Sequence, residues 1–377
     1  MKSNRRLNSR TRSTVAVMAL AFVAQTRGDA PKSWSMFRGD SRNTGEATGR
    51  LPEELKVLWR FQADEAISAT AAVDAETVYV GAEDGTFHAI DFETGKQRWS
   101  FKTDDVPIKS SALVHKGLVI FGDDDGILHA LDKKTGEQKW SHNTAGKIIS
   151  SPVIVGDRVL VGSYDAFLYC FDVNDGSVIW KYETAGYVHG TPGTNGQFVL
   201  AGGCDELLHV VRIADGKKER EVSIGSACGT SAAMAGNRVF VGTYGNQVVG
   251  VNWSKGQVLW TFEDEDRSFP FLGSAAVTDE AIYIGGRDKL MRAFEPDNGK
   301  VLWSFRTRAR IDSSPVVVGD RLYFGADDGV IYGLDCRTGK EEWRFEAGGG
   351  ISASPAIARE RLIIGTIDGS LYCFGKK

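Results

Sequence analysis

A period of about forty residues runs through the chain and restricts its folds to arrays of like units. Trp59, Trp99, Trp140, Trp180, Trp260, Trp303 and Trp343 recur at intervals of 40, 41, 40, 80, 43 and 40 residues, and Arg220 stands where the double interval places an eighth member. A glycine ends an apolar run in each unit, at Gly81, Gly122, Gly162, Gly202, Gly242, Gly285, Gly325 and Gly365, which makes eight units. In one of them, residues 314–318, 321–324, 330–334 and 341–345 read as strands divided by Gly319-Asp320, Asp328-Gly329 and Thr338-Gly339. Asp-Gly suits a two-residue hairpin because both central positions take positive φ. It recurs at Asp84-Gly85, Asp125-Gly126 and Asp368-Gly369, with weaker forms at Asp165-Ala166, Asp205-Glu206, Gly245-Asn246 and Asp288-Lys289. Four antiparallel strands per unit is the arithmetic of a propeller blade, so the expected fold is an all-β, eight-bladed β-propeller.

The last unit stops after three strands, and residues 57–62 are expected to supply its fourth, closing the ring and removing the free sheet edge. Residues 55–377 then form one domain. Each periodic Trp falls on an outermost strand, where packing against the next blade buries ~150–250 Å², worth several kcal/mol at ~25 cal/mol per Å². These seven rings are assigned to architecture.

Of 45 Lys and Arg and 49 Asp and Glu, six bases and one acid lie in residues 1–30, leaving 39 against 48 for the rest. That acidic balance argues against a nucleic-acid partner. Lys2, Arg5, Arg6, Arg10 and Arg12 precede the apolar run 15–24, the pattern of a secretory signal and too short to span a bilayer. Residues 1–30 are therefore expected to be a signal peptide, with the mature protein periplasmic or in the cell envelope and peripheral to a membrane at most. Residues 31–54 form a lead-in to the ring, with no cysteine to carry a lipid anchor. Cys170, Cys204, Cys228, Cys336 and Cys373 show no metal-binding spacing and read as small buried side chains.

Residues 89–99, Ala-Ile-Asp-Phe-Glu-Thr-Gly-Lys-Gln-Arg-Trp, resemble the tryptophan-docking motif A-x-D-x-x-T-G-K-x-x-W of the pyrroloquinoline quinone (PQQ) type propellers. Residues 130–140 depart from it only at Glu137, and residues 333–343 only at Gly333. The resemblance covers residues 55–377 and implies the propeller fold with either of two functions. One branch comprises quinoprotein alcohol dehydrogenases; the other comprises non-enzymatic relatives such as the propeller subunit of the outer-membrane β-barrel assembly machinery. Trp34, Phe37, Arg38 and Gly39 also resemble the W-x-x-F-R-G lead-in found before such propellers, and Trp34 and Phe37 are expected to pack on the ring.

The enzymatic branch implies a quinone held by an aromatic plate and often a vicinal Cys-Cys disulfide, with calcium on Glu, Asn and Asp. The sequence contains no Cys-Cys pair, and every Trp except Trp34 and Trp253 belongs to the period. Calcium takes six to eight oxygen ligands. Aligned inner-strand positions read Ser68, Lys109, Ile149, His189, Gly229, Leu272, Asp312 and Ser352, with one acid among them. No catalytic residue, metal ligand or cofactor is therefore expected, PQQ with calcium being the alternative. The position four before the small-residue layer, Ile67, Ile108, Ile148, Val188, Cys228, Phe271, Ile311 and Ile351, is uniformly apolar and reads as core. The varied positions, with their neighbours, place Lys109, Lys147, Tyr187, His189, Arg310 and Asp312 at one mouth of the central channel as candidates for binding a protein partner or a small polar ligand. Glu263 to Asp266 and Asp123 to Asp125 are expected on the same face as each other, making one rim acidic. The expected molecule is an exported, monomeric, non-catalytic binding scaffold.

Overall fold

Thr-, Val- and aromatic-rich runs of five or six residues, punctuated by turn residues, leave the chain little choice but strands. The computed structural model describes residues 33–377, so the signal-peptide reading of residues 1–30 lies outside the described residues. Among the described residues there are 33 strands and no helix. Blade 1 consists of Ala72–Val73, Thr77–Gly81, Thr86–Asp91 and Gln97–Lys102, paired antiparallel in chain order from hub to rim. Six blades repeat it. In blade 8 the strands Ala356–Ala358, Arg361–Gly365 and Ser370–Gly375 are completed by Lys56–Gln62, with Trp59 opposite Cys373. The fold is an eight-bladed β-propeller closed by its own N-terminal strand.

The inner strands are shorter than the sequence suggests; that of blade 7 is Val316–Val318. Ahead of them a hydroxyl replaces backbone pairing: Ser110, Ser150, Thr230 and Ser313 accept from the amides of Gly122, Gly162, Gly242 and Gly325. The repeated glycine at the end of each second strand has a steric cause. A Cβ on Gly122 would lie 2.1 Å from Cγ2 of Ile148, and the other seven would meet the same apolar layer at 2.2–2.6 Å, except Gly325 at 2.1 Å. Ile67 to Ile351 thus form the inter-blade core, each wedged against the strand end of the preceding blade.

At the rim a β-bulge falls one residue before each periodic position and re-aims its side chain. Nε1 of Trp59, Trp99, Trp140, Trp180, Trp260 and Trp303 donates to a carbonyl of the next blade at 2.9–3.2 Å. Each ring covers a glycine in that blade, Gly95, Gly136, Gly176, Gly216, Gly299 or Gly339, at φ +69° to +77°. Arg220 lays its side chain on Gly256 in the same way. Trp343 faces blade 8, whose third and fourth strands come from opposite ends of the chain and lack that turn; it packs edge-on to Phe374 at 5.6 Å.

Residues 34–47 do not decorate the outside of the ring. They cross the axle as a strap, taking hydrogen bonds at the backbone oxygens of Trp34, Ser35, Ser41, Arg42, Thr44 and Gly45 from the inner strands of blades 1, 2, 4, 5, 6 and 7. Glu46–Ala47 then runs parallel to Val316–Val318. Trp34 is buried in the blade 8 to blade 1 core.

Candidate functional site

Side chains alternate along each inner strand, so one set enters the inter-blade core and the other faces the channel. Two rings line the channel. The upper one is the varied series from Ser68 to Ser352; the lower one is Thr70, Ser111, Ser151, Thr191, Ser231, Ser274, Ser314 and Ser354. Seven consecutive joints of the lower ring are bridged, the amide of each member donating to the hydroxyl of the next at 2.9–3.0 Å, from Thr70–Ser111 round to Ser314–Ser354. This hydroxyl belt closes the hub where the inner-strand edges would otherwise be unpaired. A cavity of about 150 Å³ lies within the two rings, with Phe37 of the strap as its floor.

The six candidate residues fall into three groups around the mouth. Lys109 and Lys147 share Asp124, each at 3.0 Å, and Asp124 is nearly buried. Arg310 reaches Asp327 at 2.7 Å and Asp312 at 3.5 Å, but Asp312 is held more tightly by Arg287, which grips both its oxygens at 2.8 Å. Each of these cations has an acid beside it, so the mouth is not a field of free positive charge. Between the charged pairs, Tyr187 stacks on Tyr164 with ring centroids 4.7 Å apart, and the Tyr164 hydroxyl bonds Nδ1 of His189 at 2.5 Å. Burial holds the His189 imidazole below its ordinary range, hence neutral, and pushes the Tyr164 phenol up to about 12.

The acidic runs share this face, and two of their members are taken up internally. Asp123 is buried, accepting from the amides of Asp125 and Ile127 and contacting His129 Nε2 at 2.8 Å. Asp264 binds Arg292 at 2.7 Å. All five cysteines are free, and Cys228 points its thiol at the carbonyl of Thr230. Burial pushes the thiols of Cys170, Cys336 and Cys373 up to about 12. Among the described residues, no group of three or more His, Cys, Asp or Glu is placed to hold a metal ion.

Tyr164, Tyr244, Asp124, Arg287 and Asp327 are mouth residues that inner-strand alignment misses, because they come from the turns between second and third strands. Those turns carry a second signal. Blades 1, 2, 7 and 8 place a glycine at the left-handed position, whereas blades 3 to 6 place Ala166, Glu206, Asn246 and Lys289 there, at φ +65° to +71°. Three exposed aromatics border the same blades: Tyr187, Tyr244 and Phe269, at 53%, 45% and 50% exposure.

A family profile described as outer membrane protein assembly factor BamB, of the PQQ repeat type, matches residues 52–186, 142–264 and 263–376. The chain belongs to this BamB family. Among solved structures, BamB from Moraxella catarrhalis is similar at 20% identity and a TM-score of 0.73, covering 86% of this chain and 98% of that one. The computationally designed Ika8 protein matches at 19% identity and a TM-score of 0.74, over 84% and 98% of the two chains. Quinohemoprotein alcohol dehydrogenase from Comamonas testosteroni matches at 14% identity and a TM-score of 0.77, over 92% and 81%. No curated protein matches the chain. At these identities the structural likenesses extend to the fold, which the BamB family shares with the dehydrogenases.

Proposed function

We propose that the protein is a non-catalytic propeller of the cell envelope that captures a protein partner on its mouth face, across blades 3 to 6. One observation carries this reading: three exposed aromatic side chains and four left-handed turns lacking the expected glycine occur on the same blades. Aromatic side chains are enriched among the anchors of protein interfaces. Left-handed conformation costs Ala166, Glu206 and Lys289 about 1–2 kcal/mol each, Asn246 taking it more readily, and such strain gathers at functional surfaces. The paired charges of Lys109, Lys147 and Asp124 on one flank, and of Arg287, Arg310, Asp312 and Asp327 on the other, would form the polar rim. The assembly role in the BamB family's name and the signal-like residues 2–24 support a partner in the envelope.

A second reading, a PQQ-dependent oxidoreductase, draws on the dehydrogenase fold. The hub residues fit it poorly. The cavity of about 150 Å³ is walled by hydroxyls, its one aromatic carbocycle is Phe37, and its acid Asp312 is already bound to Arg287. Catalysis on a quinone is not part of the proposal.

The test is cross-linking in native envelopes with the wild type and a Tyr187→Ala, Tyr244→Ala, Phe269→Ser triple variant of intact fold. Loss of one defined adduct in the variant is the expected result. Saturable PQQ and calcium binding with dye-linked alcohol oxidation would replace the reading.

A further inference from the structure

The strap carries a charge into the axle and leaves it without an ion-pair partner. Arg38 is 1% exposed. Its Nη2 donates to the carbonyl of Ala275 at 2.9 Å, while Nε and Nη1 are buried and meet no acceptor. The acid whose field reaches it is Asp40, and that carboxylate is taken up by the Thr44 hydroxyl at 2.6 Å and by the amides of Arg42 and Thr44. Among the described residues Arg38 forms no ion pair. Its position is fixed by Gly45, where a Cβ would stand 1.8 Å from Nη2.

An isolated ion in a low-dielectric interior is costly, and buried groups without partners call for an ion or water at that point. Burial lowers the Arg38 guanidinium to about 9, which leaves it charged at neutral pH. Elsewhere on the strap, Nε1 of Trp34 is a buried donor without an acceptor and Oδ1 of Asn43 a buried acceptor without a donor. The belt oxygens already accept from neighbouring amides, so their hydrogens remain to be given. Asn43 ties this level to the belt by donating to the carbonyl of Thr191, a belt member, and Ala275 directly follows Ser274, another. Water would satisfy the N–H groups but not the charge.

We propose that Arg38 holds a small inorganic anion of halide size on the axle, bound at Nε and Nη1 just beneath the hydroxyl belt. The anion neutralises the strap and makes closure of the hub dependent on it. This site is separate from the partner-binding face and stands or falls independently of it.

The experiment is thermal unfolding of the purified protein at constant ionic strength, exchanging gluconate for chloride, in the wild type and Arg38→Met. Above the dissociation constant, the wild-type Tm is expected to rise by ~2 °C per tenfold increase in chloride. The Arg38→Met curve is expected to be flat. A bromide soak of wild-type crystals should give an anomalous peak within hydrogen-bond distance of Nε and Nη1, and this arm decides the matter if the variant does not fold. Parallel chloride responses in the two proteins would overturn the proposal, as would bromide peaks confined to the surface, an adventitious ion only.

Discussion

At the floor of the channel, residues 34–47 bond the inner strands of six blades and bury Trp34, whereas at the mouth the eight aligned positions follow no single chemistry and Tyr187 stands more than half exposed. The same eight strands make both ends. What differs is the source of the filling: the floor is filled by one continuous segment, held through its backbone, and the mouth by side chains and turns that vary from blade to blade. An end held by a strap tolerates little change, while an end built of independent turns can change one blade at a time. The floor is therefore expected to govern stability and the mouth recognition.

The sharpest way to break that division is truncation of a large ring. Trp34→Ala at the floor and Trp140→Ala at the rim are each expected to cost about 3–5 kcal/mol in denaturant unfolding. A loss under about 1 kcal/mol at Trp140 would remove its role in joining blades 2 and 3. Ser231→Ala takes away the acceptor for the Thr191 amide and is expected to cost about 1–3 kcal/mol, the penalty of one buried unpaired donor. At the mouth the sign should reverse: Glu206→Gly relieves a left-handed residue at φ +67° and is expected to raise stability by about 1 kcal/mol. Smallest of all, Tyr187→Ala should change stability by no more than about 1 kcal/mol, the worth of one stacked pair, while weakening partner capture. If Tyr187→Ala unfolds the protein as Trp34→Ala does, the division between the ends fails.

The ring was legible because its determinants repeat. The Trp interval, the glycine against which Ile148 packs, and the missing fourth strand expected from residues 57–62 are all sequence patterns, and the structure gives each a physical cause. Blade 4 was readable even without its Trp, since Arg220 holds the same position over Gly256. The strap was not legible. Trp34 and Phe37 read correctly as packing residues, but the strap's partners are backbone amides of Val73, Val114, Thr194, Met234, Val277 and Val317, and an amide leaves no trace in residue identity. The hydroxyl belt did leave one, eight Ser or Thr at aligned positions, two residues beyond the varied series. At the mouth, spacing gathered Arg310 and Asp312 but could not show that Arg287, from a neighbouring turn, holds Asp312 more closely.

The shared eighth blade and the strap set the order in which a ribosome's product can mature. Residues 56–62 wait for residues 370–375, and Arg38 meets Ala275 across 237 positions, so the closing strand and the middle of the strap find their seats only after distant parts of the chain have been made. Such distant pairings make acquisition of the native state slow. Seven blades can form from contiguous sequence as it is made, but the ring itself closes only when the last strand joins the first.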